Sequence, residues 1–333
     1  MISTTELPDF VRGLVNLASP RLGAEAVAAS DEFFAPKERM LADAPAVFIA
    51  DKYDDHGKWM DGWESRRRRD GGHDWCLVRL GVKGTIRGVD IDTSHFTGNY
   101  PPAASIEACL SDRAPDERSR WTTILPTTAL GPDAHHYLPV ASDGVFNYLK
   151  LHIHPDGGVA RLRVYGEPVA AWEGKDRAAV YELSALANGG RIVGYNDAHY
   201  GTVWTLLTAG RGLNMGDGWE TRRRREPGND WIIVRLGATG TIEKIEVDTA
   251  HYKGNYPDRC SLQAALVTSG TDSAVIDQSM SWDEALPPQK LSMDKVHAFG
   301  RDLIRDIGPV NHVKLNIYPD GGISRLRVFG KLA

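Results

Sequence analysis

A chain of 333 residues that is 42% hydrophobic has room for about two domains with cores of their own, which excludes a disulfide-stapled miniprotein or a disordered tail. Lysine plus arginine number 39 against 44 aspartate plus glutamate, so the formal charge is -5 and no global field draws the chain to nucleic acid or an anionic membrane. Anion binding has to be local.

The opening MISTTELPDFVRGLVNL carries acids where a secretory signal carries a basic end and an apolar run. No stretch nears the ~18 uninterrupted apolar residues of a membrane helix. A cytoplasmic protein is expected, with neither membrane nor nucleic acid as partner. Cys76, Cys109 and Cys260 show no CxxC or Cys/His zinc spacing and read as reduced, partly buried thiols.

The first distinctive string is DGWESRRRR, Asp61 to Arg69. Four consecutive arginines in extended chain point two to each face, so a face that is not solvated must meet carboxylates such as Glu64, Asp74, Asp90 and Asp92. WCLVRLG from Trp75 and GTIRGVDIDT from Gly84 read as strands. DTSHFTGNYP from Asp92 follows, gathering an acid, a hydroxyl, an imidazole and an amide just past an apolar strand. Loop ends on a rigid scaffold are where functional groups collect, although the same residues also build side-chain-bonded turns. Further on, Leu149, Leu151 and Ile153 alternate with Lys150, His152 and His154; a Pro-Asp-Gly-Gly turn leads into Leu162 and Val164 alternating with Arg161 and Arg163. That is a hairpin with one buried face.

After EPVAAWEGKDR, Glu167 to Arg177, the chain is written again. DGWETRRRR recurs at Asp217 to Arg225, 156 positions on, then VRLG at Val234, DTAHYKGNYP at Asp248 and NHVKLNIYPDGGISRLRVFG at Asn311. Upstream the spacing is 166, with Leu17 matching Leu183 and Asp31 matching Asp197, so the first copy holds about ten extra residues between Leu41 and Asp61. A short helix is expected around His297 to Arg305. Short strands and frequent glycine turns without a sustained 3.6-residue period predict an all-β chain of two tandem jelly-roll sandwiches from an internal duplication, residues 1–170 and 171–333.

Three chemical readings of these strings stay open. The arginine runs form a structural lattice with strand acids, bind a small carboxylate or ureido compound through planar donor forks, or form a polybasic patch, which the overall charge and the lack of interleaved aromatics oppose. His152 and His154 are an HxH pair of the kind that binds metal, but the second copy has Asn316 and Tyr318 there and no acid completes the set. His135-His136 is a less specific pair. No metal and no cofactor are expected, and no phosphate loop, GxSxG elbow or Cys/His nucleophile signature is present.

With DGWE[ST]RRRR, DTxH[FY]xGNYP and PDGG[VI]xRLRV[YF]G each present twice, and NLASPRLGAEAVAASDEFFAP near the start, the sequence resembles the allantoicase family from about Val15 to Gly330. The resemblance implies two jelly rolls of galactose-binding-like topology, a homo-oligomer, and hydrolysis of allantoate to ureidoglycolate and urea in purine degradation. For that reaction the motif positions supply Glu64 or Glu220, Asp92 or Asp248, and His95 or His251 as a general acid and base pool. Arg66, Arg68, Arg222 and Arg224 would clamp the carboxylate, Asn99 and Asn255 would orient ureido oxygens, and Trp63 and Trp219 would line the substrate site. The copies differ where His73 faces Asn229, Phe33 faces His199 and Thr97 faces Lys253, so the two halves need not be equally active. The rival is a non-catalytic pair of sandwiches for a small ligand or carbohydrate, with Trp59, Trp63, Trp219 and Trp231 as stacking surfaces rather than core. A metal-dependent oxygenase-like jelly roll is a third class.

Overall fold

The computed structural model describes residues 7–333. The chain divides into one unit ending at Val169 and another beginning at Ala170. Each is a β-sandwich built on a single 19-residue strand, Asp74–Asp92 in the first and Asp230–Asp248 in the second.

The length of that strand follows from its service in both layers. Its first part pairs antiparallel with Val145–His154, setting Leu149 opposite Val78, and with Glu25–Ala29. Its second part pairs with Arg161–Pro168, setting Leu162 opposite Ile91, and with His135–Pro139. The exchange of partners falls between Arg79 and Gly84, and here the backbones crowd. A Cβ on Gly81 would lie 2.5 Å from the Leu22 Cβ, so only glycine fits. Ala103–Cys109 and then Thr122–Ala129 extend the first layer beyond Val145–His154.

Alternation then decides what is inside. Val78, Leu149, Leu151 and Ile153 from one layer and Val89, Ile91, Leu162 and Val164 from the other are fully buried. Each contributes about 1.5–3 kcal/mol by leaving water. The second unit repeats the arrangement: Asp230–Asp248 pairs with Val310–Tyr318 and Arg191–Tyr195 in its first part, and with Arg325–Leu332 and Val296–Phe299 in its second.

Two departures from expectation have local causes. The helix expected around His297 to Arg305 is absent: Val296–Phe299 is a strand, because His297 and Phe299 are buried while Val296 and Ala298 are exposed, a period of two. The extra residues of the first copy form a loop carrying a minimal hairpin, Tyr53–Asp54 with Gly57–Lys58. Trp59 is held there between the Lys52 ammonium, 3.7 Å from its ring centroid, and the Arg39 guanidinium at 5.1 Å. Among the described residues no helix is long and apolar enough to cross a membrane.

Candidate active site

In each unit a two-residue strand, Trp63–Glu64 or Trp219–Glu220, pairs with the strand that follows the Pro-Asp-Gly-Gly turn. Successive residues point to opposite sides. Trp63 and Trp219 therefore go inward, with no exposed surface, and their indole N–H groups donate to the carbonyls of Asp31 and Asp197 at 2.8 Å. They cannot line a substrate site as expected. Glu64 and Glu220 face the other way, into a cavity.

The loop after the long strand delivers an asparagine to each glutamate. Asn99 is fixed by its carbonyl, which accepts from the Gly158 N–H at 2.7 Å, and Gly158 packs so tightly on Phe96 that a Cβ would meet the ring at 1.9 Å. From that anchor Asn99 Nδ2 donates to Glu64 Oε1 at 2.6 Å. Asn255, held likewise by Gly322, donates to Glu220. Burial pushes the Glu64 carboxyl above its ordinary value against the opposing pull of the Asn99 hydrogen bond.

The arginine runs split by alternation. Arg66 pairs with Asp31 at 2.6 Å, and Arg68 with Asp74 and Asp70 at 2.8 Å each. Arg222 pairs with Asp197 and Arg224 with Asp230, at 2.8 and 2.7 Å. Burial pushes the Asp31 carboxyl up, but side-chain and backbone hydrogen bonds from Arg66 outweigh it and hold the group below the ordinary range. The arginines expected to clamp substrate are thus committed to the protein's own acids. Between them, Arg67 and Arg223 point into the cavities and make no ion pair or hydrogen bond among the described residues. The backbone of each run is pinned from the opposite turn: Asp156 accepts the Arg68 N–H at 2.7 Å, and Asp320 the Arg224 N–H at 2.9 Å.

The first cavity, about 440 Å³, is bounded by Phe34, Glu64, Arg67, Asn99, Tyr100 and Asp156 among others. The second, about 760 Å³, has Tyr200 in place of Phe34 and adds His199 and a Lys290–Asp258 ion pair to the matching Glu220, Arg223, Asn255 and Tyr256. Asp92, Asp248, His95 and His251 are not brought there. Asp92 and Asp248 are buried, their carboxylates accepting the Ser94 and Ala250 N–H groups at 2.8 Å in a turn. The His95 ring faces the Ala46 carbonyl at 3.2 Å and that of His251 faces the Gly212 carbonyl at 2.6 Å.

Sequence reasoning placed substrate capture within the runs Arg66 to Arg69 and Arg222 to Arg225 but singled out Arg66, Arg68, Arg222 and Arg224, and it gave Tyr100 and Tyr256 no role. A signal for the arginines existed: acids at Asp31 and Asp74, repeated at Asp197 and Asp230, suffice to occupy one face of an extended run and leave the two arginines of the other face free. The stacking surfaces of the carbohydrate reading are also taken, since Trp59 is flanked by cations and Trp231 lies under Lys314 at 5.0 Å.

A model of the allantoicase repeat matches residues 15–169 and 181–333. A probable allantoicase of Burkholderia mallei is 59% identical over 332 residues, 99% of this chain and 98% of that protein. One from Ralstonia nicotianae is 59% identical over 326 residues, covering 98% and 97%. The crystal structure of allantoicase from Saccharomyces cerevisiae superposes with a TM-score of 0.79 at 35% identity, covering 95% of this chain and 92% of that one.

Proposed function

The chain belongs to the allantoicase family, and we propose that its reaction runs at the half-buried glutamate–asparagine pair of the first repeat, with the matching cavity of the second repeat a weaker contributor. The enzyme is a hydrolase that converts allantoate to ureidoglycolate and urea. In that reaction one C–N bond breaks, water supplies hydroxyl to the carbon, and the departing ureido nitrogen gains a proton.

Three groups meet these needs. Arg67 is an uncommitted fork for the substrate carboxylate, which fixes the reacting carbon. Asn99 spends Nδ2 on Glu64 and keeps Oδ1 for a ureido N–H. Glu64, held toward its neutral form by burial, gives its proton to the leaving nitrogen and recovers one from the attacking water. The observation that carries this reading is the pairing of a half-buried glutamate and an asparagine beside an unpaired arginine, built alike in both repeats.

Urea release from allantoate tests it. Glu64→Gln should lower kcat by about 100-fold or more, and Glu220→Gln by less than about tenfold. If neither substitution reaches tenfold, the glutamate is not the acid. We further propose that the enzyme is cytoplasmic, acts in purine degradation and assembles as a homo-oligomer, as the resemblance implies; light scattering on the purified chain reads the last directly.

A further inference from the structure

The outer faces of the two repeats differ at four matched positions. In the second repeat Asn229 Nδ2 donates to Asn316 Oδ1 at 3.3 Å, Asn316 Nδ2 donates to Gln263 Oε1 at 3.1 Å, and Ser261 meets Tyr318 at 3.1 Å. In the first, His73, His152, Glu107 and His154 take these places with the same connectivity. His73 Nε2 lies 2.9 Å from His152 Nδ1, His152 Nε2 lies 3.0 Å from Glu107 Oε2, and Ser105 meets His154 at 3.0 Å. Strand register fixes the equivalence: His152 opposes Trp75 and Ser105 as Asn316 opposes Trp231 and Ser261.

Amides therefore build this link unaided, and hydrogen bonding alone does not call for imidazoles. Metal ligation is not what they add, since no three imidazole, thiol or carboxylate groups among the described residues converge as a ligand set. Beyond the packing of the three rings on one another, what an imidazole has and an amide lacks is a titratable proton.

The link also joins the two segments that border the first cavity. His73 closes the arginine loop, and its carbonyl accepts from Arg68 Nη1 at 3.0 Å. His152 and His154 end the strand that runs into Pro155, Asp156 and Gly157, all three in the cavity wall. Arg67, next to Arg68 in that loop, lines the same cavity.

Proton counting sets the behaviour. Glu107 accepts from His152 Nε2–H, so His152 Nδ1 is an acceptor and His73 Nε2 must donate. A proton added on His152 Nδ1 sets two N–H groups against each other and breaks the link. Facing His152 are Glu107 on the neighbouring strand, His73 on the loop, and Lys150 and His154 on its own strand. Burial, opposed by the Glu107 bond, holds the His152 imidazole below its ordinary 6.5, and burial does the same for His154. The fold thus favours the neutral rings, so their contribution is present above the ordinary imidazole value and is lost as the pH falls below it.

We propose that the His73–His152–Glu107 chain steadies the His73 end of the arginine loop beside the first cavity and loosens that end on acidification, shifting Arg67 within a run that stays tied to Asp31, Asp74 and Asp156, while the amide chain of the second repeat is its pH-insensitive counterpart. The proposal rests on substrate capture by Arg67.

The test installs the second repeat's residues in the full chain, combining His73→Asn, His152→Asn and Glu107→Gln, and follows kcat and KM for allantoate. Between about pH 7.5 and about pH 5.5 the wild-type KM should rise about fivefold or more, whereas the triple variant should match wild type at the upper pH and stay within about twofold throughout. A variant that keeps the full wild-type rise overturns the proposal. NMR titration of the His152 ring in the unaltered enzyme is the second measurement: a ring whose Nδ1 accepts from His73 takes up its proton below the ordinary imidazole value, and uptake at that ordinary value overturns the link whatever the variant does. Arg67→Lys at the upper pH separates the two failures. An unchanged KM there, with the acid rise still abolished in the triple variant, faults the cavity assignment and not the link.

Discussion

Arg161 and Arg325 begin the matching strand of the two repeats, each buried beside an aspartate from its DGWE string, and their surroundings differ in one respect. Arg325 pairs with Asp217 at 3.0 Å and donates to the carbonyls of Asp217 and Ser324, but its Nε is buried without a partner. Arg161 pairs with Asp61 at 2.7 Å, and the longer loop of the first repeat wraps much of the rest of the guanidinium, with the Ala44 carbonyl on Nε at 2.8 Å and that of Pro45, joined by that of Arg39 just before the loop, on the terminal nitrogens. Main-chain carbonyls carry partial negative charge, so the loop shares with Asp61 a burden that Asp217 bears almost alone. Asp61 and Asp217 each stand three residues before the cavity glutamate, so the pair also steadies the strand that presents it.

The largest expected effect sharpens that contrast. Asp217→Ala leaves a buried guanidinium without its counter-ion and should destabilise the second repeat by about 3–5 kcal/mol. Asp61→Ala leaves a caged one and should cost about 1–3 kcal/mol. Denaturant unfolding of both variants decides: equal losses would mean that the loop carbonyls do nothing for Arg161.

The cavities form the second contrast. Among the described residues Arg67 is the sole cation on the wall of the first, whereas Lys290 stands with Arg223, Arg222 and Arg224 around the second. A point-charge ammonium cannot reproduce a bidentate fork. Arg67→Lys should therefore raise KM about tenfold with kcat nearly unchanged, and Arg223→Lys about threefold or less. Steady-state kinetics in which Arg223→Lys has the larger effect would move substrate capture to the second repeat.

The sequence already displayed the duplication, the hairpins and the strings that carry the site, because these are local patterns of period two and turn chemistry. What it did not display was partnership. The long strand changes layers near Gly81, and its partners lie as far away as Arg161 and Glu25 in the chain, so no local pattern announces the exchange. The arginines were visible, yet which acids claimed them depended on Asp31 and Asp74 reaching the run from different elements. Trp63 could have been read better: in an extended DGWE, Trp63 and Glu64 point to opposite sides, so both cannot line one cavity.

The smallest expected effect tests whether the imidazoles of the DTxH strings belong to the chemistry at all. His95 and His251 have φ of 69° and 71°, in the left-handed region, where asparagine is among the few side-chain-bearing residues at ease. Their backbone N–H groups donate to Asp133 and Asp294 at 2.8 and 2.9 Å, a bond that any residue in that conformation keeps. His95→Asn and His251→Asn thus preserve the turn and remove only a ring that faces a carbonyl away from the cavity. Turnover should stay within about threefold of wild type in both. A fall of about 100-fold in either would show that the ring reaches substrate, and acid–base work would then have to be reassigned from the Glu64–Asn99 pair to the loop that carries the histidine.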